Sequence, residues 1–484
     1  MILSNNGRRL LAIVVGAVVL WALTYLGFSL YGKHAWRETK ASLLAQGELL
    51  SLEQLAPPAI PDAENFQAAP LWAEPQSSTK KGPNFATDLV KALGGAKKNA
   101  APVRANLTGY DRPIDLDYAA GVFGRINQTQ PEEETAAQFL LRQISPADPS
   151  LAALTEAAAR PHSRYMGDYS SLSMRPQGLT AINWEYWQNL TKALGFRAII
   201  QCAHGDGDAA LRDIITLTRI IRHLEPEPLM ELEMIRLELI RNVTRIVWLG
   251  LYYQCWSDAQ LRELETTISS ITIWPSLIKI HRGQRARFLQ WAEPLAERGG
   301  LKSLYRSYHN PEFDSDTPGF LFLFPPGIVF TDFSTYSLYI QDFTRKAEDP
   351  SFPRIQLIRE RLPFEPGILE SAYPQKLSID QSKAWLIGRT RASLELDVRL
   401  SQTIIGLKLE EYYRARQRYP ATLSELPNLP QNPMTNAPFD YRVGCSGGYA
   451  LRSPALKREG KENPTLAKED WSWEIPSERP APVP

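Results

Sequence analysis

Residues 10–30 carry no charge and run through Ile13, Val14, Val15, Val18, Val19, Leu20, Trp21 and Leu23. As a helix, this stretch at about 1.5 Å per residue spans roughly 30 Å, the thickness of a bilayer's hydrocarbon core. The run therefore predicts a transmembrane anchor. Trp21, Tyr25 and Tyr31 stand toward its far end, where aromatic side chains favour the membrane interface. A cleaved signal peptide is the alternative, but its apolar core is usually about 7–15 residues long. No small-x-small site closes this one, which ends Ser29-Leu30-Tyr31-Gly32. The flanks barely choose a side: Arg8 and Arg9 precede the run, while Lys33, Arg37 and Lys40, offset by Glu38, follow it. The short basic tail, residues 1–9, is expected in the cytoplasm and everything beyond residue 30 outside it.

The rest of the chain has the composition of a folded body. With 54 basic and 53 acidic residues the net charge is +1, which excludes a whole-chain polycation built for nucleic acid. A mean hydropathy of −0.28 excludes a polytopic membrane protein, and an apolar fraction of 44% excludes wholesale disorder. Three cysteines (Cys202, Cys255 and Cys445) permit one disulfide at most and fit either redox compartment.

The pattern after the anchor is helical, with a short β-type tail. A stalk helix is expected over 31–56, stopped by Pro57-Pro58-Ala59-Ile60-Pro61. Residues 57–128 are mixed and rich in turn signals, with one short helix at 85–93. A helical domain is expected over 129–419. Thr129-x-x-Glu132 reads as a capping box opening its first helix, and Ser145-Pro146 with Asp148 as a second helix start. A third helix stops at Gly205, Asp206 or Asp208 caps the next, and 229–251 is apolar on nearly every face, as in a central helix packed on several sides. Ser257-x-x-Gln260 caps another, Pro275-Ser276 opens one reaching Arg298, and a long helix covers 380–418. Short connections make neighbouring helices antiparallel hairpins. Strands are expected at 439–443, 449–452 and 471–474, within a tail of 420–475, before a proline-rich, disordered end at 476–484. The fold class is mainly α: an N-terminal transmembrane helix, an irregular linker, an antiparallel helical-hairpin bundle and a small C-terminal antiparallel β sheet.

Few residues carry a chemical signal. Phe320, Phe322, Phe324, Phe330, Phe333 and Tyr336 form the most aromatic stretch, either core or an exposed patch for a partner. Glu231, Glu238, Arg241 and Arg245 interrupt the central helix at helical spacings, which suits structural ion pairs; the alternative is a carboxylate acid/base site. Cys202-x-His204 with Asp206 and Asp208 can be drawn as a metal cluster, but a helix end followed by a capped helix start accounts for the same residues. No His-x3-His pair, nucleophile elbow or phosphate loop occurs, so no catalytic residue, metal or cofactor is assigned.

Two stretches carry resemblances. Pro57-Pro58-Ala59-Ile60-Pro61-Asp62-Ala63-Glu64-Asn65, continuing to Ala69-Pro70-Leu71, resembles a motif of large bacterial proteins with one N-terminal anchor, a helical body and no known activity. The stretch 198–224, followed by Ser257-Asp258-Ala259-Gln260-Leu261, is similar to theirs as well. Separately, Leu409-Glu410-Glu411-Tyr412-Tyr413, Arg418-Tyr419-Pro420-Ala421-Thr422-Leu423, Asn432-Pro433-Met434-Thr435 and Gly447-Gly448-Tyr449-Ala450-Leu451 resemble the C-terminal half of type II secretion pseudopilins. Those proteins usually carry Asp-Pro-Phe or Asp-Pro-Trp where this chain has Asn432-Pro433-Met434. The missing carboxylate speaks against the calcium that some of them bind. The Gly-Phe-x-x-x-Glu processing junction of pilins is absent from the anchor.

The expectation is a non-enzymatic protein anchored in a bacterial inner membrane by residues 10–30, with a large periplasmic domain that binds an unidentified protein and no nucleic acid. Two alternatives stay open: a pilus- or secretion-associated component, and an enzyme using carboxylates of the central helix.

Overall fold

A computed structural model describes residues 5–73, 114–126, 130–170, 184–308, 324–359, 379–444, 447–453 and 471–480. The helix expected at 85–93 lies outside them. The chain is mainly helical, with one long apolar helix at the N-terminus and a three-stranded antiparallel sheet at the C-terminus.

Helix α1 (Asn5–Ala45) is unbroken for 41 residues. Its most apolar window has a mean hydropathy of 2.3 and no buried residue, and by length and composition it is enough to cross a membrane. Beyond Leu30 the same helix enters the body. Gly32, Trp36 and Leu43 are buried, a spacing that returns to one helix face. They pack on α10 (Gly327–Glu348), which also lies against α9 (Trp274–Tyr308). Trp36 meets Phe333 edge-on at 5.7 Å, its indole N–H donates to Glu293 at 3.0 Å, and Lys40 pairs with the same carboxylate at 2.8 Å. At the crossing of α1 and α10, Gly32 faces Gly327, and a Cβ on either would collide with the other helix's backbone. The expected stalk thus ends early: Gly47 turns the chain with φ +80°, and one further turn follows at Leu52–Leu55.

The main core is built by α5 (Trp184–His204), α6 (Gly207–Leu224) and α7 (Met230–Tyr252), packed pairwise against one another. Asp206 caps α6 by accepting from the Ala209 N–H at 2.9 Å, after Gly205 turns with φ +86°. Ser257 and Gln260 form the expected reciprocal capping box of α8 (Asp258–Ser269). Three shorter helices, α2 (Leu116–Ile126), α3 (Ala136–Ile144) and α4 (Asp148–Ala158), add to this core. The box that opens α3 is Thr135 with Gln138, not Thr129 with Glu132, because Thr135 stands directly before the inner-face residues Phe139, Leu140 and Ile144. Helix α9 runs past Arg298 and bends at Gly299-Gly300, where Gly300 has φ +55°.

The last helix, α11 (Ile379–Arg416), ends two residues before the expected stop, as Gln417 turns with φ +56°. Strands β1 (Asp440–Val443), β2 (Tyr449–Ser453) and β3 (Trp471–Ile475) pair antiparallel in that order. Contacts with α11 and α7 fasten the sheet to the helices. Trp473 and Tyr449 close over Gly406 of α11, the Gln402 amide donates to the Leu451 carbonyl at 3.1 Å, and the Trp248 indole of α7 donates to the Glu474 carbonyl at 3.0 Å. Asn432, where pseudopilins carry the carboxylate, instead closes its own turn: its Oδ1 accepts from Met434 N–H and its Nδ2 donates to Ser453, both at 3.0 Å.

Candidate functional site: a basic pocket beside the proline-rich loop

The segment 57–65 cannot be helical, since three prolines remove donors and bias their neighbours toward extended backbone. Its conformation is fixed by tertiary hydrogen bonds. The Asn65 amide donates to the Arg164 carbonyl at 3.1 Å, while its oxygen accepts the Arg164 N–H at 3.0 Å. Phe66 N–H donates to the His162 carbonyl at 2.8 Å and His162 N–H to the Glu64 carbonyl at 3.2 Å. Arg160 donates to the carbonyls of Asp62 (2.8 Å) and Asn65 (2.9 Å), and Arg164 to the carbonyl of Pro57. Just beyond the loop, Phe66 stacks on His223 of α6 at 4.8 Å and 8°, so loop and helix are held face to face.

Between the loop, the end of α4 and the end of α6 lies a pocket of about 500 Å³. Its apolar wall is Pro57, Pro58, Ile60 and Pro61. Facing it are Arg160, Arg219, Arg222, His162 and His223, with Glu64 as the one carboxylate among the lining residues. Glu64 lies 4.0 Å from His162. Arg219 and Arg222, one turn apart on α6, are exposed, and neither meets a carboxylate within ion-pair distance among the described residues. His223 is occupied by the Ala158 carbonyl at 3.1 Å, and burial lowers its pKa, which keeps it neutral. Ser163 lies at the edge of the pocket, but its hydroxyl is shut off from solvent and so from the cavity. Such an arrangement can hold an anion; it offers no nucleophile–base pair.

Behind this pocket sits Glu227, 1% exposed. It accepts the Tyr165 N–H at 2.7 Å and the Tyr169 hydroxyl at 2.6 Å, one on each oxygen. Burial pushes its pKa up to about 7, and burial together with this carboxylate raises that of Tyr169. With both oxygens engaged and no solvent exposure, Glu227 is a structural group rather than an acid/base catalyst.

Within the aromatic stretch, the rings carried by α10 are core residues. Phe330, Phe333 and Tyr336 are buried between α1 and α9, Phe324 is half-buried, and Phe320 and Phe322 lie outside the described residues. These rings are covered because the far half of α1 folds onto α10. On the central helix, Glu238 pairs with Arg241 at 2.8 Å and Glu231 with Arg287 of α9 at 2.7 Å, while Arg245 is buried. The more deeply buried pair on this helix is Glu233 with Arg236 at 3.3 Å, joined by the Ser276 hydroxyl at 2.5 Å. Their i,i+3 spacing is visible in the sequence, but a helix that is apolar all round does not reveal which of its charged residues face inward. Asp206 and Asp208 are occupied by the α6 cap and by the Gln260 amide at 2.6 Å. Among the described residues no three metal-ligating side chains converge. Neither a protein-family model, nor a curated protein, nor a solved structure matches this chain.

Proposed function

We propose that this is a single-pass anchored protein of a bacterial inner membrane whose body, from residue 31 onward, lies in the periplasm and serves as a non-enzymatic binding scaffold. One observation carries the reading. The apolar half of α1 stands free of the body while the other half of the same helix is built into a core cluster around Trp36, Phe288 and Phe333. A signal peptide removed after export has no reason to continue without interruption into the packing of the mature protein. The buried carboxylates Glu227 and Glu233 have intrachain partners, which supports the non-enzymatic part of the reading. Protease added to spheroplasts should digest the body; protection that persists until the membrane is opened overturns the orientation.

A second reading, a pilus- or secretion-associated component, is favoured by the tail. There a long helix is followed by a turn at Asn432 and an antiparallel sheet, in the order of the pseudopilin resemblance. Loss of type II secretion on deleting the gene would favour this reading over the first.

A further inference from the structure

We infer that the pocket beside the proline-rich loop binds a small phosphate-bearing molecule, with the phosphate at Arg219 and Arg222 and the remainder against the proline wall. Two independent observations meet here. Arg219 and Arg222 line one cavity, and among the described residues no carboxylate lies within ion-pair distance of either. Arg222, in the last turn of α6, is accounted for by the helix dipole, but Arg219 stands a turn earlier, where that effect has faded. The second observation is the opposite wall, where Pro57, Pro58, Ile60 and Pro61 give the same cavity an apolar side.

The charge and the size select the ligand class. A carboxylate carries one negative charge and leaves one arginine unmatched; a phosphate monoester carries nearly two and offers three oxygens to planar guanidinium forks. A cavity of about 500 Å³ is far larger than inorganic phosphate and suits a compact organic phosphate. Pro57, Pro58 and Pro61 have no N–H to offer, so that wall contacts the body of the ligand by apolar surface alone. The inference does not depend on which side of the membrane the body occupies.

The test is calorimetric and thermal-shift titration of the full-length protein in detergent with inorganic phosphate, glycerol 3-phosphate and acetate at constant ionic strength set by chloride. Saturable binding of both phosphates, tighter for glycerol 3-phosphate and negligible for acetate, is expected. The exposed pair Arg219→Gln/Arg222→Gln should lose at least about tenfold in affinity, as expected for removing charge-assisted hydrogen bonds, while its melting temperature without ligand stays unchanged. Repeating the titration in phosphatidylcholine nanodiscs with and without phosphatidic acid separates sources. Competition by the acidic lipid identifies a headgroup as occupant, and its absence a soluble phosphate. Phosphate binding no better than chloride, acetate binding equal to phosphate, or parental affinity in the double variant would each overturn the assignment.

Discussion

Replacing Glu227 by glutamine should make this protein more stable at pH 8 and leave it nearly unchanged at pH 5. The buried carboxyl has its pKa raised from the ordinary 4.5 to about 7 by desolvation. Below pH 4.5 folded and unfolded chains both hold the proton, and the full contribution to stability is present. Between 4.5 and 7 the unfolded chain releases the proton while the folded chain keeps it, so stability falls by up to about 1.4 kcal/mol per pH unit. Above 7 the folded group ionises too, and roughly 3 kcal/mol has been lost. The amide of Glu227→Gln is nearly isosteric and uncharged at every pH, and its oxygen still accepts the Tyr165 N–H. One hydrogen bond to Tyr169 must be reversed, a change worth about 1 kcal/mol or less. For a body of roughly 350 packed residues the unfolding entropy is about 0.7 kcal/mol/K, so the gap in Tm between variant and parent should open to about 3–4 °C by pH 8. The assay is thermal unfolding of both proteins from pH 5 to pH 8 in matched detergent. A gap that stays constant across that range, or a variant that melts below the parent at pH 8, refutes the claim that burial of this carboxyl drives the slope.

Other perturbations follow from the same kind of reasoning. Burial pushes the pKa of His281 down to about 3, and neither ring nitrogen has a partner, so its contribution to stability is full above pH 6.5 and is lost as pH falls toward 3; His281→Phe should flatten the acid side of the Tm profile. Its ring packs edge-on to Phe343 at 4.3 Å, and a larger Tm loss at pH 4.5 than in the parent would contradict this. Gly32→Val places a Cβ against the Gly327 backbone, which cannot yield as a flexible side chain would, so about 1–3 kcal/mol of stability should be lost, read by urea unfolding. A matching substitution at Gly16, which has open space, should be silent by the same assay. Burial raises the pKa of the Cys202 thiol well above its ordinary value and the neighbouring Cys255 adds to the shift, which places two residues distant in sequence near each other. Exchange with oxidised dithiothreitol, which leaves as its dithiol, should join them and add up to about 4 kcal/mol by loop closure; full alkylation of both thiols after treatment counts against it.

Much of the architecture is legible locally. Gly205, Asp206, the Ser257–Gln260 box and the three tail strands announce themselves through turn chemistry and period, and the structure places them where the residues suggest. Where two signals compete, position relative to the apolar run decides: Thr129 and Thr135 both begin box-like patterns, and only Thr135 abuts the inner face of its helix. The role of Phe330 and Phe333 is not legible, because nothing around them states that α1, nearly 300 residues earlier, will cover them. Nor is the pocket. Arg219 and Arg222 look like ordinary helix-end charges until the loop at 57–61 is seen opposite them.

An α-helix advances about 1.5 Å and turns about 100° with each residue. Because α1 has no break from Asn5 to Ala45, the phase of its apolar surface is locked to the face that buries Gly32, Trp36 and Leu43. The number of residues between the two surfaces therefore sets a compass bearing. In a membrane, the body is held at a fixed height and the pocket looks out along a fixed direction relative to the anchor, where a limp tether would let it swing through every azimuth. One residue inserted between Leu26 and Gly27, ahead of the contact of Phe28 and Ser29 with Gly327, would rotate that bearing by roughly a quarter turn while Gly32, Trp36 and Leu43 keep their packing, so neighbours anchored alongside would meet a different face.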